Sequence, residues 1–93
     1  MAHDDPETEA LNCLKQAETS GRHGNLGGAE DWLDSARDHL YDLFTDYETE
    51  HARSVLNAVL RARDACRKQD KFTALKYIDA AKKRLLEPQG RPG

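Results

Sequence analysis

The sequence predicts an all-α fold, a four-helix up-down bundle built from two similar helical hairpins. The first reason is a 45-residue internal repeat, in which AEDWLDSARDHL at 29–40 aligns with ALKYIDAAKKRL at 74–85. The second is that apolar residues recur every three or four positions, as on one face of an amphipathic helix. The third is that 93 residues with 38% hydrophobic content make one domain with a thin core. The expected boundaries are a single domain at 1–93, hairpin one at 5–45, hairpin two at 46–87, and flexible tails at 1–4 and 88–93.

The first helix is expected to run from Asp5 to about Ser20. Aspartate is a favoured N-cap, and the proline that follows it suits the first helical position. The apolar face consists largely of small residues, so we expect it to approach a neighbouring helix closely while burying little surface. Its members are Ala10, Leu11, Leu14 and Ala17.

The segment 21–28 is expected to connect the first two helices. It holds four glycines, and each glycine costs about 1 kcal/mol inside a helix. Gly21 is expected to end the first helix, and the second is expected to begin near Ala29. The segment follows a helix and lacks the Lys-Ser/Thr pair of a P-loop, so it predicts no phosphate site.

The second helix is expected over about 29–44, with its apolar residues on one face. The opposite face carries Asp31, Asp34, Asp38 and Asp42. Thr45 and Glu48 have the spacing of a capping box, which predicts a new helix from about residue 46. A continuous helix over 29–69 is the competing interpretation, and it would form an extended hairpin that needs a partner.

The third helix is expected at 46–69 and the fourth at 71–87, with Asp70 as the N-cap and Pro88 as the stop. The apolar faces of the last three helices predict the rest of the core. These faces are Ala29, Trp32, Leu33, Ala36, Leu40 and Leu43; then Ala52, Val55, Leu56, Val59, Leu60, Ala62 and Cys66; then Ala74, Tyr77, Ile78, Ala81 and Leu85.

Charge is divided unevenly between the two repeats. Residues 1–50 contain 13 Asp and Glu against 3 Lys and Arg, and residues 51–93 contain 4 against 11, so balances of −10 and +7 give the net −3. The sign is inverted at two matched surface positions, Asp31 against Lys76 and Asp38 against Lys83. Three consequences are open: copies of the chain join head to tail, the basic face binds nucleic acid or an acidic protein, or the acidic face binds a basic protein. The alternative is two solvated faces that only maintain solubility.

A charged residue interrupts the apolar stripe at the same position of each repeat, Glu18 in the first and Arg63 in the second. If the first and third helices lie side by side, these two residues are expected to form a partly buried salt bridge, a structural pair. Such a bridge would add specificity more than stability, because desolvation offsets most of its Coulomb energy. The alternative is that both side chains extend to solvent.

Apolar residues outside the core faces are the best indication of a partner surface. These residues are Tyr41, Phe72, Leu75 and Leu86. Together with the inverted charges at Asp31, Asp38, Lys76 and Lys83, they are expected to bind a protein partner or a second copy of the chain. The alternative is a wider bundle that buries Leu75 and Leu86.

Catalytic and metal chemistry have little support in the sequence. Cys13 and Cys66 occupy unmatched repeat positions, which is atypical of a disulfide framework or zinc site and indicates reduced packing thiols. A Glu-x-x-His spacing occurs once, at Glu48 and His51, whereas di-metal bundles use it twice. We therefore expect no enzyme activity, cofactor or metal. The sequence has no signal-peptide-like start and no apolar run of about 18 residues, so we expect a cytoplasmic protein without a membrane partner.

The stretch Ala74–Ala81 resembles the second helix of a tetratricopeptide-type unit, with small residues at its ends and a bulky one between. The resemblance covers about eight residues of each repeat and stops there. It implies, by analogy, a helical hairpin scaffold for protein binding. The predicted function is a small protein-interaction or regulatory module. The alternatives are a nucleic-acid-associated protein using the basic face of helices 3 and 4, and an acidic inhibitor that imitates nucleic acid with its aspartate row.

Overall fold

A computed structural model describes residues 6–44 and 50–87 of the chain. They form four helices: α1 Pro6–Arg22, α2 Leu26–Leu43, α3 Glu50–Arg67 and α4 Lys71–Leu86. No strand occurs in these two ranges. α1 packs on α2 and α3 packs on α4, and these two hairpins join through α2 on α3 and α1 on α4. The predicted all-α bundle of two helical hairpins is confirmed.

The two hairpins stack as layers. The Cα atoms extend over 36 × 34 × 19 Å, and the shortest dimension fits two layers of helices about 8–10 Å apart. Each helix has one neighbour in its own hairpin and one in the other. α1 therefore lies at the corner opposite α3, and α2 at the corner opposite α4.

The connection between α1 and α2 is shorter than the sequence predicts. α1 continues through Gly21 to Arg22, and α2 already begins at Leu26 rather than near residue 29. Asn25 is the N-cap of α2, and its Oδ1 accepts a hydrogen bond from the Gly28 N–H at 2.9 Å. The expected glycine loop was wrong because this cap, together with the burial of Leu26, outweighs the poor helix propensity of the glycines.

Two of these glycines have specific roles. Gly24 has φ 83°, a left-handed conformation that glycine adopts without strain. Gly21 is buried inside α1, where a Cβ would lie 3.0 Å from Leu75 Cδ2 of α4. Gly21 therefore permits the close approach of α4. The prediction that Gly21 ends the first helix was wrong, since α1 continues to Arg22.

The second and third helices are separate. α2 ends at Leu43, and Phe44 is extended with φ −91° and ψ 118°. The continuous helix over 29–69 is therefore not formed, whereas the predicted capping box at Thr45 and Glu48 lies outside the described residues. α3 ends at Arg67 rather than at residue 69.

Asp70 caps α4 as predicted. Its Oδ1 accepts a hydrogen bond from the Thr73 N–H at 3.1 Å. Hydrogen bonds from the side chain and the backbone of Thr73 lower the pKa of this carboxyl. α4 ends at Leu86, and the predicted stop at Pro88 lies outside the described residues.

The core is narrow and rich in alanine. About half of the buried apolar residues in the described ranges are alanines, so the helices approach closely. The largest fully buried side chains are Leu14, Leu33, Leu40, Ile78, Val55, Val59 and Cys66. Trp32 and Leu60, which we expected in the core, are each 40% exposed. Trp32 directly precedes the buried Leu33, and Leu60 directly follows the buried Val59. Each therefore lies 100° around its helix from that buried neighbour, outside an apolar stripe that is narrower than expected.

Candidate interaction surfaces

Three ion pairs join the two hairpins in the described ranges. They are Glu18 with Lys82 at 2.6 Å, Asp34 with Arg63 at 2.9 Å, and Glu30 with Arg67 at 2.5 Å. In every one, the acid belongs to the first hairpin and the base to the second. Some of the opposite charges of the two repeats therefore pair with each other within one molecule and hold its two hairpins together.

The structure gives the predicted pair, Glu18 and Arg63, separate partners. Their helices lie at opposite corners, so Glu18 contacts Lys82 on α4 and also Arg22 at 2.9 Å on its own helix. Arg63 contacts Asp34 on α2. Both residues do face the other hairpin, as their equivalent repeat positions require, but they face different helices of it.

The Glu30–Arg67 pair was missed in the sequence. Glu30 aligns with Leu75 in the repeat, and Leu75 packs against Gly21 across the other hairpin boundary. The repeat position of Leu75 and Glu30 therefore faces the opposite hairpin in both halves. This equivalence is the signal that would have placed Glu30 at the boundary.

The acidic side of α2 is narrower than the sequence predicts. Asp31, Asp38 and Asp42 are exposed, whereas Asp34 turns toward α3 and pairs with Arg63. The row of four carboxylates proposed as a nucleic-acid mimic is therefore interrupted. Three carboxylates remain on the outside of α2.

The basic side of α4 carries Lys76 and Lys83, which are both exposed. The Lys83 ammonium lies 3.2 Å from Asp79 one turn earlier, and the Lys76 ammonium lies 5.9 Å from the centre of the Tyr77 ring. Because α2 and α4 occupy opposite corners, the acidic and basic outer sides point away from each other. They cannot meet within one molecule.

The four predicted apolar partner residues do not form one patch. Phe72 is 80% exposed and Leu86 is 59% exposed, but fourteen residues separate them, or about 21 Å along α4. Leu75 is partly buried and contacts Gly21. The alternative in which the bundle buries both Leu75 and Leu86 is therefore met in part by Leu75 and not by Leu86. Tyr41 is 43% exposed but lies on α2.

A second exposed apolar area lies where α2 meets α3. Counting along these antiparallel helices from the Asp34–Arg63 pair puts Tyr41 level with Leu56 and one turn from Leu60. Leu60 is 40% exposed and was assigned to the core in the sequence. The sequence prediction assumed too wide an apolar stripe on α3, and a narrower stripe would have left Leu60 at the surface.

A cleft of about 240 Å³ opens at the end of the bundle where α2 and α4 finish. It is lined by Glu7, Leu43, Phe44, His51, Leu85, Leu86 and Glu87. The His51 ring meets the edge of the Phe44 ring at 5.8 Å and 84°. Glu48, the other half of the Glu-x-x-His spacing, lies outside the described residues. The contact with Phe44 gives His51 a packing role at this end of the bundle.

The two cysteines are free and buried. Burial raises the pKa of the Cys13 thiol and of the Cys66 thiol, and the nearby carboxylates of Glu9 and Glu30, respectively, add to this effect. A thiol with a raised pKa stays protonated and is a poor nucleophile. Both cysteines therefore act as packing residues, as predicted.

Within 6–44 and 50–87, no three His, Cys, Asp or Glu residues converge as a metal site would require. None of the four helices combines the length and apolar character of a membrane span. Comparison of the chain with protein-family models, with curated proteins and with solved structures finds no match.

Proposed function

We propose that this chain is a non-enzymatic protein-binding module that binds its partner through the outer face of α4. This face is formed by Phe72, Lys76, Lys83 and Leu86. The observation that carries the proposal is the 80% exposure of Phe72. Burying a phenylalanine side chain stabilises a protein by about 1.5–3 kcal/mol, and this small domain does not use that energy in its own fold.

The two apolar residues of this face lie on either side of two lysines. Exposed apolar anchors with charged neighbours are typical of a binding surface, because the anchors contribute affinity and the charges select the partner. Lys76 and Lys83 favour an acidic partner. The length of about 21 Å between the two anchors suits a helix laid along α4.

The same face favours binding of a protein partner over catalysis as the function of this chain. Enzymes need a nucleophile or a general base at an accessible position. The thiols of Cys13 and Cys66 are buried, and their raised pKa keeps them protonated. The exposed face of α4 offers hydrocarbon and two ammonium groups, and the carboxylate beside them, Asp79, is paired with Lys83. These groups suit recognition of a partner.

Nucleic acid is the competing class of ligand. A cleft of about 230 Å³ between α3 and α4 is lined by Arg61, Lys68 and Tyr77, which are residue types that bind phosphates and stack on bases. Asp64 and Asp70 line the same cleft and repel phosphates. The mixed charge of this cleft is the reason for preferring a protein partner.

The experiment is photo-crosslinking with benzoylphenylalanine at Phe72 in the cells that produce the protein. The matched control carries the same group at Asn12, which is exposed on α1. A discrete protein adduct from position 72 that is absent from position 12 supports the proposal. The adduct is expected to disappear when Lys76→Glu and Lys83→Glu are added.

Two results would count against the proposal. Equal labelling from positions 72 and 12 would mean that the outer face of α4 is not a binding surface. Fluorescence anisotropy with duplex DNA gives the other test, since binding that weakens steeply with salt and is lost in Lys76→Glu/Lys83→Glu would favour nucleic acid.

A further inference from the structure

We infer that the partner of the outer face of α4 is a second copy of this chain, bound through its outer face of α2. The outer face of α2 is defined by Gly27, Asp31, Asp38 and Tyr41. The inference rests on the proposed function, because it uses the same α4 surface. It adds the identity of the partner and the residues with which the partner makes contact.

The charges of the two faces are opposite in sign and equal in spacing. Asp31 aligns with Lys76 and Asp38 with Lys83 in the 45-residue repeat. All four residues are exposed. Each pair of like charges is seven residues apart, which is about 10.5 Å along its helix. Two carboxylates on one chain can therefore meet two ammonium groups on the next chain at the same time. In that contact Lys83 is shared between Asp38 of the other chain and Asp79 of its own helix, 3.2 Å away.

The arrangement of the helices brings these residues to the same height. The Glu30–Arg67 and Asp34–Arg63 pairs make α2 antiparallel to α3, and the turn at 68–70 makes α3 antiparallel to α4, so α2 and α4 run in the same direction. They occupy opposite corners of the bundle. A copy displaced sideways without rotation therefore places its α4 beside α2 of the first chain. Residues that are equivalent in the repeat then face each other.

Apolar contacts flank the two charge pairs in this register. Phe72 is level with Gly27, which is exposed and has no side chain. A Cβ at Gly27 would meet only Asn25 Oδ1, at 4.0 Å, so there is room above this turn for an aromatic ring. At the other end, Leu86 is level with Tyr41, and these side chains are 59% and 43% exposed.

Two carboxylates of α2, Asp31 and Asp38, form no ion pair within the described part of the molecule. The ion pairs that join the hairpins involve Glu18, Glu30 and Asp34. Neither Asp31 nor Asp38 forms an ion pair with another residue of 6–44 or 50–87. Their charge is therefore available to a second chain, at little cost to the fold.

The contact is head to tail. The two faces point in opposite directions, so a chain that uses its α4 face still presents its α2 face, and association extends into rows instead of closing as a twofold dimer. One helix against one helix makes an interface smaller than about 1,000 Å². We therefore expect weak, concentration-dependent and salt-sensitive association.

The test is charge reversal on each face, measured by sedimentation and light scattering of the purified full chain. Variant one is Asp31→Lys/Asp38→Lys, and variant two is Lys76→Glu/Lys83→Glu. The wild-type mass is expected to rise with protein concentration in about 10 mM salt, where the Debye length is about 30 Å, and to return to that of a monomer in about 1 M salt. Each variant alone is expected to remain monomeric, since its two faces carry the same sign.

An equimolar mixture of the two variants is expected to associate again, because each interface then joins an acidic face to a basic one. The matched control is Arg53→Glu/Lys68→Glu, which changes the net charge as variant two does but alters exposed positions on α3 and in the turn directly after it. It is expected to associate like the wild type. A steric variant, Gly27→Gln, is expected to weaken association several-fold without changing any charge.

Several results would overturn the inference. They are a wild type that stays monomeric at low salt, a mixture that fails to associate, or a control variant that loses association as variant two does. Circular dichroism of every variant excludes unfolding as the cause. If benzoylphenylalanine at Phe72 instead crosslinks to a different protein, the second copy is not the partner and the proposed function stands. If it crosslinks to nothing, both fail.

Discussion

Alanine is expected to stabilise the protein at Gly27 and to fail to do so at Gly28, although both lie in the first turn of α2. The Gly28 N–H donates a hydrogen bond to Oδ1 of the capping residue Asn25 at 2.9 Å. A Cβ at Gly28 would lie 2.6 Å from Asn25 Nδ2 and 3.0 Å from Asn25 Cγ, so the capping side chain would have to move away. A Cβ at Gly27 would meet only Asn25 Oδ1, at 4.0 Å.

The size of the effect follows from two opposing contributions. Replacing glycine with alanine in a helix raises the free energy of unfolding by about 0.5–1 kcal/mol. Nothing opposes this gain at Gly27. At Gly28 it is offset by loss of the Asn25 cap, which costs about 1 kcal/mol. We therefore expect Gly27→Ala to be about 1 kcal/mol more stable than Gly28→Ala, or about 4–8 °C higher in Tm for a domain of this size.

Urea unfolding followed by circular dichroism measures both variants, and the decisive comparison uses an Asn25→Ala background. Without the capping side chain, Gly28→Ala has nothing to displace. It is then expected to stabilise the protein as much as Gly27→Ala does. If Gly28→Ala stabilises equally with and without Asn25, the cap contributes nothing and the reasoning is refuted.

The remaining predictions concern the hairpin boundary and the buried thiols. A double-mutant cycle to alanine is expected to give a coupling energy of about 0.5–1 kcal/mol for Glu18 with Lys82, whose side chains are 18% and 21% exposed, and nearly zero for Glu18 with Arg63. Equal coupling in the two cycles would contradict the observed pairing. Because burial raises the pKa of Cys13 and Cys66, the unfolded chain ionises first, and stability is expected to fall as pH rises above about 8.5. Urea midpoints compared with those of Cys13→Ala/Cys66→Ala between neutral and alkaline pH isolate this loss, and an identical decline in the variant would disprove it.

The helices could be predicted because their signals are local. The apolar period of the last three helices is read from residues three or four positions apart, and the 45-residue repeat presents that local pattern twice. The Asp70 cap was predicted for the same reason, since a cap involves residues three positions apart. The first connection was predicted less well, because the glycines at 27 and 28 suggested a loop while the Asn25 cap begins a helix there.

The surfaces could be predicted only in part, because they depend on which helices become neighbours. Glu18 and Arg63 were correctly placed at one repeat position, but the sequence does not reveal that α1 and α3 lie at opposite corners. The same limit explains why Phe72 and Leu86 were grouped with Tyr41. Helical wheels give an angle on one helix and say nothing about the helix that fills the adjacent space.

The alanines of the core determine how the sequence of this protein can change. Where methyl groups set the separation of two helices, an added methylene has no space, and overpacking costs about 1–3 kcal/mol. Ala36 and Ala81, which are fully buried at equivalent repeat positions, therefore set an upper limit on side-chain size. Larger core residues such as Leu33 and Ile78 accept exchange among residues of similar volume. Descendants of this sequence would thus keep the spacing of its small residues longer than the identity of its large ones.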